Sequence, residues 1–239
     1  MHDITLPVAL RARQAEHEAS VPENPGLSVS PRESIVLATR NRGKIGELAV
    51  LLRPFGLEVL GMGAFPEIGE IEENGSSFAE NALLKARTVA AATGFVALAD
   101  DSGLETDALA GAPGIFSARY AVAAHEAASD RRNIEKLLQD MHGVAAEKRG
   151  ACFRCCMAAR APGGEEILAE GAWEGRITQA PAGGNGFGYD PVFFDPELGC
   201  TAAQMSGEEK NRRSHRAAAA ARLLKLWPEF WEKWLNNRG

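Results

Sequence analysis

The sequence predicts an α/β protein, and three observations carry that prediction. Short apolar runs, each long enough for one buried strand, recur at Ser34 to Ala38, Phe95 to Ala99 and Val192 to Phe194. Stretches with apolar residues at helical spacing separate them, two of these opened by Ser-x-x-Glu capping signals at Ser77 and Ser206. The first strand passes through a Gly- and Lys-bearing loop directly into such a stretch, a strand–loop–helix layout.

Composition sets the outer bounds. A chain of 239 residues, 45% hydrophobic and 24% charged, can bury one sizeable core or two closely joined lobes. Its formal net charge of −6 speaks against a nucleic-acid binder working through bulk electrostatics. Cys152, Cys155 and Cys156 contain a C-x2-C spacing, but no second pair or H-x3-5-H follows, so zinc is not expected. The alternation there reads as a strand with small buried thiols, and nothing points to an oxidising compartment. No run approaches the ~18 apolar residues of a membrane span. Residues 1–32 carry Asp3, Glu16, Glu18 and Glu23, and their apolar part, Leu6 to Leu10, is too short for a secretory signal. They are expected to form a mobile extension with a helical piece around Val8 to Ala19, ahead of one domain over 33–239. The expected location is cytoplasmic.

Taken in order, Ser34 to Ala38 is a buried strand, and Thr39-Arg40-Asn41-Arg42-Gly43-Lys44 is the loop after it. Ile45, Leu48, Leu51 and Leu52 then fall at helical spacing, with Gly56 as stop. The layout can offer backbone N–H groups and a cation to phosphate, or it can be a solvated basic loop. It is not a P-loop, whose first Gly and final Ser or Thr are absent. Leu57 to Leu60 suits a second strand. The acidic run containing Glu67, Glu70, Glu72 and Glu73 reads as a solvated face. Ser77 opens a helix to about Thr93, stopped by Gly94, with Phe78, Ala82, Ala86 and Val89 on its apolar side. Asn81 and Lys85, at i and i+4, share a face that reads as exposed.

The apolar run Phe95 to Ala99 stops at Asp100-Asp101-Ser102-Gly103. Beyond the carboxyl end of a sheet strand, an acid pair is a seat for a hard cation or a general base. The same residues also make turns and helix caps, and by themselves they leave both readings open. Asp130 to Met141 is a helix with Ile134, Leu137, Leu138 and Met141 inward. Gly150 to Arg160 and Ile167 to Trp173 form a hairpin about Pro162-Gly163-Gly164. Four glycines between Gly183 and Gly188 bracket Phe187, with Tyr189 and Asp190 next; glycine permits close backbone approach and an aromatic on such a loop can stack on a base. Ser206 opens a helix through Lys210, Ser214, His215 and Arg216 into the alanine run, and Pro228 starts a short last helix whose Phe230, Trp231 and Trp234 dock on the body or a partner.

The pieces LATRNRGKIGEL, FAENALLKA, ADDSGLETDALAGAPGIFSARY, GFGYDPVFF and EEKNRRSHR, in this order, resemble the inosine triphosphate pyrophosphatase family. The resemblance spans roughly Ile35 to Leu224. It implies a long twisted mixed β-sheet with flanking helices, two lobes forming a nucleotide cleft, and a homodimer. The implied activity is hydrolysis of inosine, deoxyinosine and xanthosine triphosphates to the monophosphate and pyrophosphate with Mg2+. By the same resemblance Thr39 to Lys44 grip the triphosphate, with Thr39, Asn41 and Lys44 foremost. Glu73 and Asp101 bind the metal, with Asp100 beside them as an available third carboxylate. Asp101 also accepts a proton, Lys44 and Lys85 balance the phosphates' charge, and Ser102 touches substrate. Phe187, Gly188, Tyr189, Asp190, Lys210, His215 and Arg216 surround the purine. Arg40 departs from the family's usual Gly or Ser and makes the loop bulkier and more basic. Two other readings compete: a related house-cleaning pyrophosphatase for modified pyrimidine or methylated nucleotides, and a nucleotide-binding module without hydrolysis.

Overall fold

The structure is a computed structural model that describes residues 34–52, 58–121 and 129–237. The expected extension over 1–32 with its helical piece, the stop at Gly56 and the strand position Leu57 lie outside those residues. Strand β1 (Ser34–Leu37) is buried on both faces, as a continuous apolar run requires at the centre of a parallel pair. Helix α1 (Arg42–Leu52) follows, then β2 (Glu58–Gly61), α2 (Phe78–Thr93), β3 (Val96–Thr106), a 3-10 turn at Gly114–Arg119 and α3 (Asp130–Asp140). The hairpin β4 (Gly150–Arg160) and β5 (Glu166–Ile177) leads to the short β6 (Phe193–Asp195) and β7 (Cys200–Thr201), and α4 (Gly207–Arg213) and α5 (His215–Asn236) close the chain. The seven strands form one mixed sheet in the order β2-β1-β3-β4-β5-β6-β7, parallel about β1 and antiparallel from β3 onward. This is the expected mixed α/β sheet with flanking helices.

Local chemistry explains most boundaries. In α2 the Ser77 hydroxyl accepts from the Glu80 amide at 3.2 Å, and Gly94 ends the helix at φ 70°, the left-handed conformation glycine takes without strain. Helix α1 begins inside the expected loop. Asn41 Oδ1 accepts the amides of Gly43 (2.9 Å) and Lys44 (3.2 Å), so Arg42, Gly43 and Lys44 form the first helical turn.

Three expectations are corrected. The strand expected to end at Ala99 runs on through both acids to Thr106, because Asp100 pairs with Met157 and Asp101 with Cys156 in an unbroken ladder with β4. Strand-poor residues are tolerated there because a neighbouring strand takes up their backbone groups. The single helix expected through Ser206 to Leu226 is two: Ser214 takes an extended conformation (φ −64°, ψ 156°) and its hydroxyl caps α5 by accepting the Ala217 amide at 3.2 Å. Pro228 does not restart a helix but lies inside α5. Such a proline costs about 3 kcal/mol. Burial of Trp227, Phe230, Trp231 and Trp234 against the sheet offsets that.

The core has two layers across the first strands. Ile35, Leu37, Val96 and Leu98 pack with α1 and α5 on one face; Val36, Ala97 and Ala99 pack with α2 on the other. A third cluster, around Leu104, Leu137, Phe153, Trp173 and Phe193, fills the far end of the sheet. Trp173 is a core residue there, its indole N–H donating to Asp195 at 3.0 Å. The four cysteines are free thiols, and no helix among the described residues is long and apolar enough to cross a membrane.

Candidate active site

A cleft of about 1400 Å³ opens between the clusters, lined from the α1, α2, β3, aromatic-loop and α4–α5 segments. Side chains alternate across a strand, so the adjacent acids of β3 serve opposite faces. Asp101 faces α2: its Oδ1 accepts Lys85 Nζ at 2.9 Å and its Oδ2 accepts Asn81 Nδ2 at 3.2 Å. Lys85 also donates to Glu73 at 2.8 Å, and Asn81 Oδ1 takes the Gly75 amide at 2.8 Å, tying down the chain next to Glu73. Glu73 and Asp101 thus converge on one ammonium at the cleft wall.

Their protonation differs by environment. Burial pushes the Asp101 carboxyl up and the charge of Glu73 adds to this, against the pull of Lys85. Burial also works to raise Glu73, but Lys85, Lys44 and Arg119 bring it below its ordinary value. Lys85 is desolvated, yet the carboxylates of Asp101, Asp100 and Glu73 raise it above the ordinary lysine range, so it stays charged.

Asp100 faces α1 and α5 and is fully buried; Lys44 Nζ at 3.0 Å, Arg216 Nε at 3.1 Å and Ser102 Oγ at 3.1 Å meet its Oδ2. Burial would raise this carboxyl, but Lys44 and Arg216 hold it far below the usual carboxylate range. A metal set including Asp100 is therefore not assembled, since the strand's alternation turns it away from Glu73 and Asp101. Among the described residues no cluster of three His, Cys, Asp or Glu side chains gathers to hold a metal. Two carboxylates do meet, a donor set suited to Mg2+, which commonly takes one or two carboxylates with water and substrate phosphates.

At the other end of the cleft, carboxylates hold the aromatic loop. Asp190 accepts the Phe187 amide at 2.9 Å, and Asp130 accepts the Gly188 amide at 2.7 Å. Asp190 is buried, which pushes its carboxyl up, and it takes a close ion pair from Lys210. Lys210 Nζ stands 4.8 Å and the Arg216 guanidinium 5.2 Å from the Phe187 ring centroid. The ring's edge rests on Gly43, where any Cβ would come within 2.5 Å of it. Glu47 joins the two cations, accepting Lys210 at 2.9 Å and Arg216 at 2.6 Å. His215 stacks on Phe153 with centroids 4.8 Å apart, and burial beside Arg216 and Lys210 holds it neutral, its pKa well below the ordinary value. Its buried Nδ1 has no partner. The first turn of α5 reaches the sheet because Gly171 lies beneath it: a Cβ there would sit 2.1 Å from the His215 carbonyl oxygen.

Of the expected site residues, Thr39, Arg40, Asn41, Lys44, Glu73, Asp101 and Ser102 line the cleft, as do Phe187, Gly188, Tyr189, Asp190, Lys210, His215 and Arg216. Some have local duties as well. Arg40 donates to the Ile68 carbonyl, Thr39 Oγ1 accepts the Asn41 amide at 3.2 Å, and the hydroxyl of buried Tyr189 donates to the Ser117 carbonyl at 2.9 Å. Two do not line it: Arg42 is exposed on α1, and Gly43 lies under Phe187. The sequence reading missed Glu47, Asn81 and Arg119, whose guanidinium lies 3.6 Å from Glu73. Asn81 and Lys85 read as an exposed pair but are buried. Their i, i+4 spacing was visible, whereas the carboxylates awaiting them on other segments were not. Glu47, one turn after Lys44, carried the same kind of signal.

The sequence profile of the Ham1 family matches residues 35–226. A dITP/XTP pyrophosphatase of Nitratidesulfovibrio vulgaris is 60% identical over 203 residues, spanning 84% of this chain and 98% of that protein. One from Listeria monocytogenes is 49% identical over 199 residues, 83% of this chain and 97% of its own length. Among solved structures, a HAM1 protein from Coxiella burnetii superposes with a TM-score of 0.73 at 41% identity, covering 82% of this chain and 98% of that one. The Staphylococcus aureus Ham1 protein gives 0.70 at 41% identity, covering 84% and 98%.

Proposed function

The chain belongs to the Ham1 family, and from that premise we propose that it hydrolyses dITP, ITP and XTP to the monophosphate and pyrophosphate. The observation that carries this reading is the pairing of Glu73 and Asp101 on Lys85 in the wall of a cleft whose other end holds Phe187 beside Lys210 and Arg216. One end suits phosphates and a cation; the other suits a flat base.

Glu73 and Asp101 are the residues that would hold Mg2+. Such an ion, when bound, neutralises phosphate oxygens and makes water easier to deprotonate. The rest of the work falls to the chain. Lys44 and Lys85 offset charge on the departing pyrophosphate. Asp101, whose burial makes it a better base than an ordinary aspartate, orients the attacking water and takes its proton. Phe187 stacks on the purine. Arg216, Lys210 and the backbone at His215-Arg216 donate to O6, donors that adenine's amino group would leave unpaired. Polar mismatches of that kind discriminate by about 10⁴-fold or more, where a missing methylene is worth only about 10–200-fold.

The partner is thus a small nucleotide. The acidic net charge, −6, disfavours nucleic acid. We place the enzyme in the cytoplasm, away from membranes, as a homodimer, by analogy with the family.

Pyrophosphate release should be measured from ITP, dITP, XTP, dUTP and 5-methyl-UTP, with and without Mg2+. Turnover confined to the purine substrates and dependent on the metal is expected. Preference for either pyrimidine would overturn the purine reading, and tight ITP binding without product would reduce the protein to a binding module. Phe187→Ala is expected to raise KM for ITP about 5–150-fold, stacking on a base being worth about 1–3 kcal/mol. Unfolding free energy should change less, since the ring is only half-buried. An unchanged KM with a large loss of stability would make Phe187 a packing residue.

A further inference from the structure

Asp100 is the acid for which hydrolysis supplies no task. It lies on the sheet face away from Asp101, fully buried, and Lys44, Arg216 and Ser102 all crowd its Oδ2. Its Oδ1 is buried and accepts nothing. A buried acceptor left without a donor is costly, so a rearrangement that fills it becomes favourable once the surrounding charges shift.

Those charges belong to both ends of the cleft. Lys44 lines the cleft and acts on Glu73 as well as on Asp100. Arg216, on the same carboxylate oxygen as Lys44, gives its Nη2 to Ser102 Oγ at 2.7 Å and its Nη1 to Glu47 at 2.6 Å, and it lies against Phe187. A continuous chain of charge therefore runs from Lys44 through Asp100 and Arg216 to Glu47, Lys210 and Asp190, which holds the Phe187 amide.

We propose that Asp100 is a positioning residue coupling the two ends of the cleft, so that an anion at Lys44 sharpens recognition of the base by Arg216. An anion draws the Lys44 ammonium from Asp100. The carboxylate then takes Arg216 in a two-point fork, its open Oδ1 accepting the Nη2 hydrogen that now goes to Ser102. Forked pairs are stronger and better oriented than single contacts. Arg216 is fixed beside the aromatic ring, and the Ser102 hydroxyl, which lines the cleft, turns to the nucleotide. Coupling of this kind is reciprocal and typically worth about 5–150-fold in affinity. The inference rests on the nucleotide reading for the identity of the ligands, though not on turnover.

The test is calorimetry on the full chain in metal-free buffer. Inosine and adenosine are titrated without inorganic triphosphate, then with it at a concentration its own titration shows to be saturating. Triphosphate is expected to tighten inosine about fivefold or more and adenosine less, and Asp100→Asn to abolish that tightening. Equal inosine affinity with and without triphosphate in the unaltered protein overturns the proposal, whether or not the variant folds. Tightening that persists in a folded Asp100→Asn removes Asp100 from the coupling and equally overturns it. ITP turnover by the same preparation with Mg2+ is scored separately; its absence would sink the hydrolysis reading and leave the linkage result standing.

Discussion

Asp101→Asn is expected to lower kcat for ITP by about 10²–10⁴-fold, the usual contribution of a positioned general base, while the protein stays folded at pH 7 and melts somewhat below its parent. The activity loss follows from geometry. The amide keeps the shape that Asn81 and Lys85 hold, at 3.2 and 2.9 Å, but loses the charge needed to take a proton or hold a cation. The stability expectation follows from linkage. Asp101 has a folded-state pKa raised by burial, with Glu73 adding to it against Lys85. The native state therefore binds that proton more tightly than the unfolded chain, and stability falls as pH rises through the raised value. At neutral pH asparagine removes the cost of burying that charge. But it leaves Lys85 with Glu73 alone and turns an amide NH2 toward a donor, Lys85 or Asn81, so the variant melts somewhat below its parent. Steady-state pyrophosphate release and thermal melts on purified protein check both halves. Parental turnover by a folded variant would remove Asp101 from the chemistry.

Lys85→Met should lower stability in metal-free buffer by about 3–5 kcal/mol, the cost of stranding a buried charge by deleting its partner. For a domain of this size that is roughly 6–20 °C in Tm. Among the described residues Lys85 is the one cation in ion-pair contact with Asp101, and it also carries Glu73, so its loss leaves two facing carboxylates without their shared counter-charge. A divalent cation seated between them would replace it. Mg2+ is thus expected to raise the Tm of Lys85→Met more than that of the parent, although hydrolysis stays low without the ammonium. Differential scanning fluorimetry across a magnesium titration is sufficient. Equal shifts in both proteins would mean that Glu73 and Asp101 do not form the metal seat.

Much of the scaffold was legible in the sequence. Apolar runs marked β1, β3 and β6, and Ser77 with Gly94 bounded α2. These signals are local: side-chain period, a cap oxygen within a turn of the amide it accepts, a glycine at positive φ. The boundaries that failed were those where a distant segment outweighed local preference. β4 carried β3 through its acids, and packing of the tryptophans on the sheet carried α5 through Pro228.

The site divides in the same way. The amino-acid order by itself determined which residue types stand on which elements: two adjacent acids on one strand, Asn81 and Lys85 on one helical face, an aromatic among glycines. Only the tertiary structure decided their uses. It sent Asp101 to Lys85 and Glu73 and Asp100 to Lys44 and Arg216, and it brought Glu47 between Lys210 and Arg216. A buried charge must find its partner in space, and those partners come from segments far apart along the chain, where no spacing or periodicity announces them.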